Sequence, residues 1–239
     1  MDRYNIQVFN DAQLAAAAAS EALIEGALAS KTSPVGLATG RTMIPVYQNI
    51  LRIEHQSIGL FADTTFAQLD EILDTSFVAS NFSTEIHNSL LSKLKGGYAG
   101  FIGIKDLALN PFSEAERHYQ NILKAGGLGV QLLGIGINGH IGFNELGSNK
   151  NSICRVTNLA KSTIERNGYD RSMRAITLGI ADILNARRLV LLATGEAKAS
   201  AILSMIIAPK SANNPASLLR DHPDILLFLD KAAASHLNE

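Results

Sequence analysis

The stretch QLLGIGINGHIGFNELGS, Gln131–Ser148, begins as an apolar run and then breaks into a loop rich in glycine. An apolar run bounded by glycine is typical of a buried strand. Gly134, Gly136 and Gly139 also match the GxGxxG spacing of a dinucleotide-binding turn, but that turn needs a helix that starts within the motif. The glycine-rich residues after Gly139 form helices poorly. The stretch therefore predicts a strand followed by a functional loop and disfavours a nucleotide site.

Three polar side chains lie close together in this loop, at His140, Asn144 and Glu145. A histidine can pass protons in both directions near neutral pH. A nearby carboxylate can hold its tautomer and raise its pKa. A simple turn explains the glycines but not these side chains. The spacing leaves two interpretations open: a proton-relay pair of His140 and Glu145, or a hydrogen-bonded structural histidine.

On both sides of this loop, short β-type runs alternate with helical ones. This alternation predicts an α/β fold with a single, doubly wound, mostly parallel sheet and helices on both faces, a Rossmann-like three-layer sandwich. The chain contains no repeat and no linker, so we expect one domain over residues 1–239. The β-type runs are IQVF (6–9), VGLAT (35–39), the stretch 58–70, GVQLLGIG (129–136), RAITLG (174–179), RLVLLAT (188–194) and ILLFLD (225–230).

Two helix starts carry capping signals. Asp11 precedes the alanine-rich helical run and is a good N-cap residue. Ser113 and Glu116 have the spacing of a capping box, which predicts a helix over residues 113–124.

Composition narrows the class of protein. The net charge is −1 in 239 residues, which gives no reason to propose nucleic acid as a partner. The single cysteine, Cys154, cannot form an internal disulfide, and we interpret it as a packing residue. The N-terminal MDRYNIQVFN is polar where a signal peptide is apolar, and the apolar runs are too short to span a bilayer. We therefore expect a cytoplasmic protein without a membrane segment.

Two loops of similar form follow predicted strands, LATGRT (37–42) and TGEAK (194–198). Free N–H groups at the start of a helix attract anions. Thr39 and Thr42 add hydroxyls to the first loop and Arg41 adds charge, although an ordinary turn with Thr42 as N-cap remains the alternative. Lys198 falls in the first turn of its helix, where a cation is unfavourable unless an anion binds there. A solvated surface lysine is the alternative.

Asp70 and Glu71 lie at the end of another predicted strand. One of these carboxylates could act as a general base, and a pair of helix-capping acids is the alternative. Alternation along a strand directs one of the two toward any given cleft. The sequence contains neither HExxH nor GxSxG, so neither a metal site nor a serine nucleophile is predicted.

Taken together, these loops resemble those of the glucosamine-6-phosphate deaminase family, which shares its fold with the 6-phosphogluconolactonases. The second half is most similar to the galactosamine-6-phosphate deaminase/isomerase branch. The resemblance runs over nearly the whole chain, through GLATGRT (36–42), LDE (69–71), LGIGINGHIGFNELGS (133–148), AITLGIADILNARRLVLLATGEAKA (175–199) and NPASLLRDHPDILLFLD (214–230).

The resemblance implies a reaction and a set of roles. A 2-amino-2-deoxyhexose 6-phosphate opens its ring, moves a proton from C2 to C1, and leaves as the ketose 6-phosphate with ammonia, with no cofactor or metal. Asp70 would be the base that carries the proton, His140 would assist ring opening, and Glu145 would orient and charge-balance it. The other implied site residues are Asn138 beside the catalytic group, Thr39, Gly40, Arg41, Thr42, Lys198 and Arg171 for the phosphate, and Glu71, Gly136 and Gly139 in loops that contact the substrate.

Several positions depart from the family's pattern. Many members have Asp where this chain has Asn138, and an amide cannot act as a charged relay. Leu146 replaces the proline after the glutamate, and Arg41 and Met43 replace a small residue and a proline. Ile72 and Leu73 replace the aromatic and glycine after the Asp–Glu pair, and the covering segment that follows is shorter. The candidates for the family's phosphate arginine are Arg166, Arg171 and Arg174, with Arg171 preferred.

Two alternatives stay open. Lactone hydrolysis is the other chemistry of this fold, but the lactonases have an arginine directly after the Asp–Glu pair, where this chain has Ile72. A non-catalytic sugar-phosphate-binding homologue would keep the phosphate loops and lose the relay, whereas Asp70, His140 and Glu145 are all present. The expected partner is a phosphorylated amino sugar. The sequence leaves open the glucosamine or galactosamine epimer, allosteric regulation and whether the chain forms a homo-oligomer.

Overall fold

The computed structural model describes residues 5–73, 81–167 and 173–238 of the chain. Its strands are β1 (Asn5–Phe9), β2 (Val35–Leu37), β3 (Thr65–Gln68), β4 (Asp70–Ile72), β5 (Gly100–Ile102), β6 (Val130–Leu133), β7 (Arg155–Asn158), β8 (Arg174–Thr177), β9 (Arg188–Ala193) and β10 (Ile225–Asp230). Its α-helices are α1 (Ala12–Ala29), α2 (Ile44–Gln56), α3 (Phe82–Ser89), α4 (Pro111–Lys124), α5 (Lys161–Asn167), α6 (Ile180–Leu184), α7 (Ala199–Ile207) and α8 (Pro215–Leu218).

Seven of these strands form one parallel sheet in the order β1-β10-β9-β6-β2-β3-β5. From β2 the chain continues to β3 and β5 toward one edge, and from β6 it continues to β9 and β10 toward the other. The loops that leave β2 and β6 therefore diverge, which opens a crevice at the carboxyl ends of these two neighbours. The predicted α/β class is confirmed, and the crevice lies where LATGRT and the glycine-rich loop begin.

The prediction of a single sheet was wrong in one respect. Strands β4, β8 and β7 form a separate three-stranded antiparallel sheet. The chain passes from one sheet to the other at Leu69, whose N–H donates to Leu37 O in the large sheet while its own carbonyl accepts from Leu178 N. The continuous strand expected to end at Asp70 is therefore two strands, and RAITLG belongs to the small sheet.

The helix caps follow the expected chemistry at one site and depart from it at another. The Asp11 carboxylate accepts hydrogen bonds from Gln13 N and Leu14 N at the start of α1, as predicted. The capping box predicted at Ser113 was wrong, because α4 begins two residues earlier, at Pro111. The side chain of Asn110 accepts from Ser113 N, and the fixed φ of proline suits the first helical position.

The core lies between the large sheet and the helices on its faces. The residues of β6 and all but the first of β9 are buried, which fits strands covered on both faces. Cys154 is buried in this core, as expected of a packing residue. Within the described ranges, no helix combines the length and the apolar character needed to cross a membrane.

Candidate active site

A cavity of about 360 Å³ lies in the crevice at the carboxyl ends of β2 and β6. Eight of the residues predicted from the sequence line it: Thr39, Gly40, Arg41, Thr42, Asp70, Gly136, His140 and Lys198. Four others do not line it: Glu71, Asn138, Gly139 and Glu145. Arg171 lies outside the described residues. Arg174, the described alternative, is exposed on β8 and does not line the cavity.

The glycine-rich loop places the imidazole of His140 directly against Gly136. Gly136 N donates to His140 O at 2.9 Å, and Gly139 N donates to Gly136 O at 3.0 Å, so the loop folds back on itself. A Cβ at Gly136 would lie 2.4 Å from the His140 ring, so a side chain there would displace the imidazole. Gly139 accepts a hydrogen bond from Ala216 N and supports the loop from behind. Of the two predicted loop glycines, Gly136 faces the cavity.

Glu145 lies behind His140, on the side away from the cavity. Its Oε2 is 3.4 Å from His140 Nδ1, within ion-pair distance although short of good hydrogen-bond geometry. Asn138 Nδ2 donates to the same carboxylate at 3.2 Å, and Thr163 Oγ1 donates to it at 2.5 Å. Burial alone would raise the pKa of Glu145, but the contacts with His140, Thr163 and Asn138 outweigh burial and lower it to about 2. Glu145 is therefore a fixed negative charge behind the imidazole.

Asn138 makes hydrogen bonds both to the backbone of the loop and to Glu145. Its Oδ1 accepts from His140 N at 3.3 Å while its Nδ2 reaches the carboxylate. The neutral amide thus links the backbone of His140 to the Glu145 side chain. Asn138 therefore supports the His140–Glu145 pair structurally, and this role needs no charge on its side chain.

Asp70 enters the cavity from the small sheet, where it pairs with Thr177. A Cβ at Gly142 would lie 3.2 Å from Asp70 Oδ2, so the carboxylate packs against the glycine-rich loop that carries His140. Asp70 is 6% exposed. Burial, and then the carboxylates of Glu71 and Glu85, raise the pKa of Asp70 to about 8. A carboxyl group with its pKa near the working pH is suited to take up and return a proton.

Glu71 points away from the cavity, as the alternation of side chains along a strand requires. Its carboxylate accepts from Phe82 N at 2.9 Å and Ser83 N at 2.8 Å, the first amides of α3, and from Ile72 N at 3.0 Å. Burial raises the pKa of Glu71, partly offset by these hydrogen bonds. The expectation that Glu71 contacts the substrate does not fit this placement, and the helix-capping alternative does.

The buried Gln68 side chain joins this acidic strand to its neighbours. Its Nε2 donates to Asp70 O and to Glu71 Oε2, both at 2.8 Å, while its Oε1 accepts from Ile104 N at 2.9 Å. His118 Nε2 lies 2.8 Å from Gln68 O, and burial lowers the pKa of His118 to about 4, so the ring is a neutral donor there. The backbone that carries Asp70 is therefore fixed by a buried polar network.

The LATGRT and TGEAK loops have the same local form. Gly40 has φ 102° and Gly195 has φ 87°, and each is followed by a 3-10 turn and then a long helix, α2 or α7. Neither turn has a side-chain cap, so the alternative role of Thr42 as an N-cap is not found. Lys198 Nζ donates to Ile135 O at 2.6 Å and so reaches across to the glycine-rich loop. Arg41 and Lys198 therefore place two cationic side chains in the wall of the cavity.

Sequence reasoning missed four residues of the site. Phe82 and Phe143 stack at a centroid distance of 6.0 Å and line one wall of the cavity. Thr163 bonds Glu145, and Glu85 lines the cavity near Gly40. Glu85 lies in the first turn of α3, and no sequence signal placed this turn beside a loop 45 residues earlier.

No group of three or more His, Cys, Asp or Glu side chains suited to a metal ion occurs in the described part of the chain.

Comparison with known protein families gives a match over residues 10–227 to a family described as glucosamine-6-phosphate isomerases/6-phosphogluconolactonase. A glucosamine-6-phosphate deaminase of Colwellia psychrerythraea is 36% identical, over 97% of this chain and 90% of the relative. One of Streptococcus pyogenes is 35% identical, over 90% of this chain and 92% of the relative.

Solved structures give the same picture. A monomeric glucosamine-6-phosphate deaminase superposes with a TM-score of 0.89 at 27% identity, covering 97% of this chain and 99% of the other. The 6-phosphogluconolactonase of Trypanosoma brucei superposes with a TM-score of 0.73 at 22% identity, covering 98% of both chains. The second likeness concerns the fold alone.

Proposed function

The chain belongs to the glucosamine-6-phosphate isomerase/6-phosphogluconolactonase family, and we propose that it is an amino-sugar-6-phosphate deaminase. The substrate is a 2-amino-2-deoxyhexose 6-phosphate, and the products are a ketose 6-phosphate and ammonia. The glucosamine epimer is favoured, since the relatives at 34–39% identity are glucosamine-6-phosphate deaminases. The likeness of the second half to the galactosamine branch keeps the other epimer as an alternative.

One observation carries this proposal: Asp70, on the small sheet, and His140, on the loop after β6, face the same cavity, which Arg41 and Lys198 also line. A phosphate bound between the LATGRT and TGEAK loops would anchor the sugar at its C6 end. The rest of the sugar would then extend toward the base and the histidine. Fixing a substrate at a non-reacting group in this way is a common means of orienting the reacting atoms.

The reaction has two stages that these residues can serve. In the first, His140 takes the proton from the C1 hydroxyl and delivers it to the ring oxygen, which opens the pyranose to the aldehyde. Glu145 keeps a negative charge behind the imidazole, 3.4 Å from Nδ1, and so holds the ring in place for this transfer.

In the second stage, Asp70 removes the proton from C2 while one proton of the substrate's ammonium group passes to the C1 oxygen, which gives an enolamine. Asp70 then returns the C2 proton to C1. The double bond then lies between C2 and nitrogen, and water adds to this carbon. Ammonia leaves and the C2 ketone remains, so that atoms and protons balance. A carboxylate enclosed by protein keeps the transferred proton from exchanging freely with solvent. The site uses no step through a cofactor in this scheme.

Lactone hydrolysis is the competing activity, since the fold is shared. Ile72 stands where the lactonases carry an arginine, and it is buried in a small apolar cluster with Phe143, Leu159, Met173 and Ala175. An arginine at this position would have no room for its charge in that cluster. This packing supports the deaminase over the lactonase.

Ammonia release from glucosamine 6-phosphate and from galactosamine 6-phosphate, measured side by side with hydrolysis of 6-phosphogluconolactone, tests the proposal. We expect ammonia from one amino sugar, with the ketose 6-phosphate in equal amount, and no lactone hydrolysis above background. Lactone hydrolysis without ammonia release would replace the proposal by the lactonase. Binding of the sugar phosphates without any turnover would make the protein a sugar-phosphate-binding homologue.

A further inference from the structure

In each of the LATGRT and TGEAK loops, a carboxylate accepts a hydrogen bond from the N–H of the glycine. Gly40 N donates to Glu85 Oε1 at 2.9 Å, and Gly195 N donates to both oxygens of Asp230 at 3.0 Å. Each contact satisfies an amide that the turn leaves without a backbone partner. The two carboxylates nevertheless lie in very different surroundings.

Asp230 is a structural partner of its loop. It ends β10, beside β9, the strand from which the TGEAK loop departs, and it is 7% exposed. Its carboxylate also accepts from Ala233 N at 2.7 Å, which ties it to the following turn. Asp230 does not line the cavity. A ligand in the cavity would leave these three contacts in place.

Glu85 has none of this support. It lies on α3, which is not part of either sheet, and it is half-buried in the wall of the cavity. Among the described residues its carboxylate accepts the single hydrogen bond from Gly40 N. Its charge acts on Asp70 across the same space. The Glu85 carboxylate thus accepts the hydrogen bond of the Gly40 N–H. Under the proposed function, this N–H belongs to the loop that binds the sugar phosphate.

We propose that Glu85 is a displaceable occupant of the phosphate subsite: its carboxylate holds the Gly40 amide in the free enzyme, and the phosphate of the substrate takes its place. This inference rests on the proposed function, since it assigns the LATGRT loop to the phosphate. Only a strongly charged group displaces Glu85, so the subsite stays closed to uncharged groups at C6.

The charges at this end of the cavity explain how such an exchange discriminates between ligands. A phosphate dianion gains the Gly40 amide together with Arg41 and Lys198, and charge-assisted hydrogen bonds of this kind are roughly twice as strong as neutral ones. A sugar with a free C6 hydroxyl cannot replace the bond between a carboxylate and an amide. The unphosphorylated sugar therefore leaves Glu85 in place, and only the phosphorylated ligand bears the cost of displacing it.

Binding of inorganic phosphate, measured by calorimetry at constant pH and ionic strength, tests this inference without reference to turnover. The variants are Glu85→Gln, which keeps an acceptor but removes the charge, and Glu85→Ala, which removes both. Glu116→Gln is the matched control, since it removes one carboxylate from an exposed position on α4. Thermal unfolding checks that every variant is folded.

We expect both Glu85 variants to bind inorganic phosphate about tenfold more tightly than wild type, the effect of removing one charge-assisted competing bond. The control should bind as wild type does. Equal or weaker binding in the folded Glu85 variants would overturn the inference. It would show instead that Glu85 stabilises the loop in its binding conformation.

The unphosphorylated sugar gives a second readout. Glucosamine itself, which leaves Glu85 in place, should gain less affinity on Glu85→Ala than inorganic phosphate gains. Equal gains for glucosamine and for inorganic phosphate would contradict displacement of Glu85 by the phosphate. If no amino sugar is deaminated but phosphate binding still tightens, then the proposed function fails while this inference stands, so the two failures can be told apart.

Discussion

The Asp70 carboxylate is nearly enclosed, and the carboxylates of Glu71 and Glu85 lie close enough to act on it. Desolvation and like charges both disfavour the ionised form, so the two effects add. In this setting the pKa rises from 3.8 to about 8. An ammonium group on a bound amino sugar would act in the opposite direction and favour the carboxylate, which is the form that a base requires.

This raised pKa predicts how Asp70→Asn changes stability with pH. A carboxyl group whose pKa rises on folding favours the folded state while it is protonated, and this contribution is lost as the pH rises from about 4 through about 8. The Asp70→Asn variant has no ionisable group at this position, so its stability does not fall in this way. The free energy of unfolding of Asp70→Asn relative to wild type should therefore increase from pH 5 to pH 8, as measured by urea denaturation.

The exposed Asp63→Asn provides the control, with an expected difference that stays constant with pH. If Asp70→Asn also showed a constant difference, Asp70 would be ionised at ordinary pH and the enclosed environment described above would not govern it.

His140 is held by contacts that would survive the loss of its ring. Gly136 N and Asn138 Oδ1 bond its backbone, so the loop keeps its path when the side chain changes. We expect His140→Gln to lower kcat by about a hundredfold or more, the usual contribution of a general acid–base group. Steady-state kinetics with circular dichroism of the same sample would check this. A decrease of only a few-fold would make His140 a structural residue.

At the scale of elements, the site depends on the junction between the two sheets. Leu69 bonds the large sheet through its N–H and the small sheet through its carbonyl, and Asp70 follows directly. Glu71 then fixes the start of α3, which carries Glu85 and Phe82 into the cavity. One short strand therefore positions a base and the helix that forms one wall of the site.

Glu71→Ala tests this assignment. It removes the acceptor of the part-buried Phe82 and Ser83 amides and of the buried Ile72 amide, and each buried group of this kind costs about 1–3 kcal/mol. We expect a loss of at least about 2 kcal/mol in the free energy of unfolding, with turnover lowered through the displacement of Asp70. Unchanged stability together with a raised KM would instead place Glu71 in contact with the substrate.

The TGEAK loop allows a test of the phosphate end. Lys198 directly precedes α7 and lines the cavity, where an anion would offset the unfavourable position of a cation at a helix start. Lys198→Ala should raise KM for the phosphorylated sugar by about tenfold or more, through the loss of a charge-assisted bond. Equal losses with phosphorylated and unphosphorylated sugars would refute the phosphate role and leave the bond to Ile135 O as the function of Lys198.

For the whole molecule, the sequence predicted those parts that depend on local pattern. Buried apolar runs that alternate with helices gave the α/β class, and parallel strands brought Thr39, His140 and Lys198 to one edge. Alternation along a strand predicted that one of Asp70 and Glu71 faces the cleft, without saying which. The family resemblance chose Asp70 as the base, and Asp70 is the one that lines the cavity.

The parts that the sequence did not predict depend on contacts between distant segments. The break at Leu69 needs hydrogen bonds to Leu37 and Leu178, and nothing in the run FAQLDE marks it. Short strands such as β5 and β7 contain too few residues to show a period. Glu85 reaches Gly40 only through the placement of α3 by Glu71.

The measurement that tests the account most directly is ammonia release from glucosamine 6-phosphate by wild type and by Asp70→Asn, with galactosamine 6-phosphate in parallel and substrate binding measured on the same samples. The account predicts ammonia and ketose 6-phosphate in equal amounts from wild type with one of the two sugars. It predicts at least about a hundredfold less from Asp70→Asn, with binding retained. Undiminished ammonia release from a folded Asp70→Asn, or no ammonia from wild type with either sugar, would contradict it.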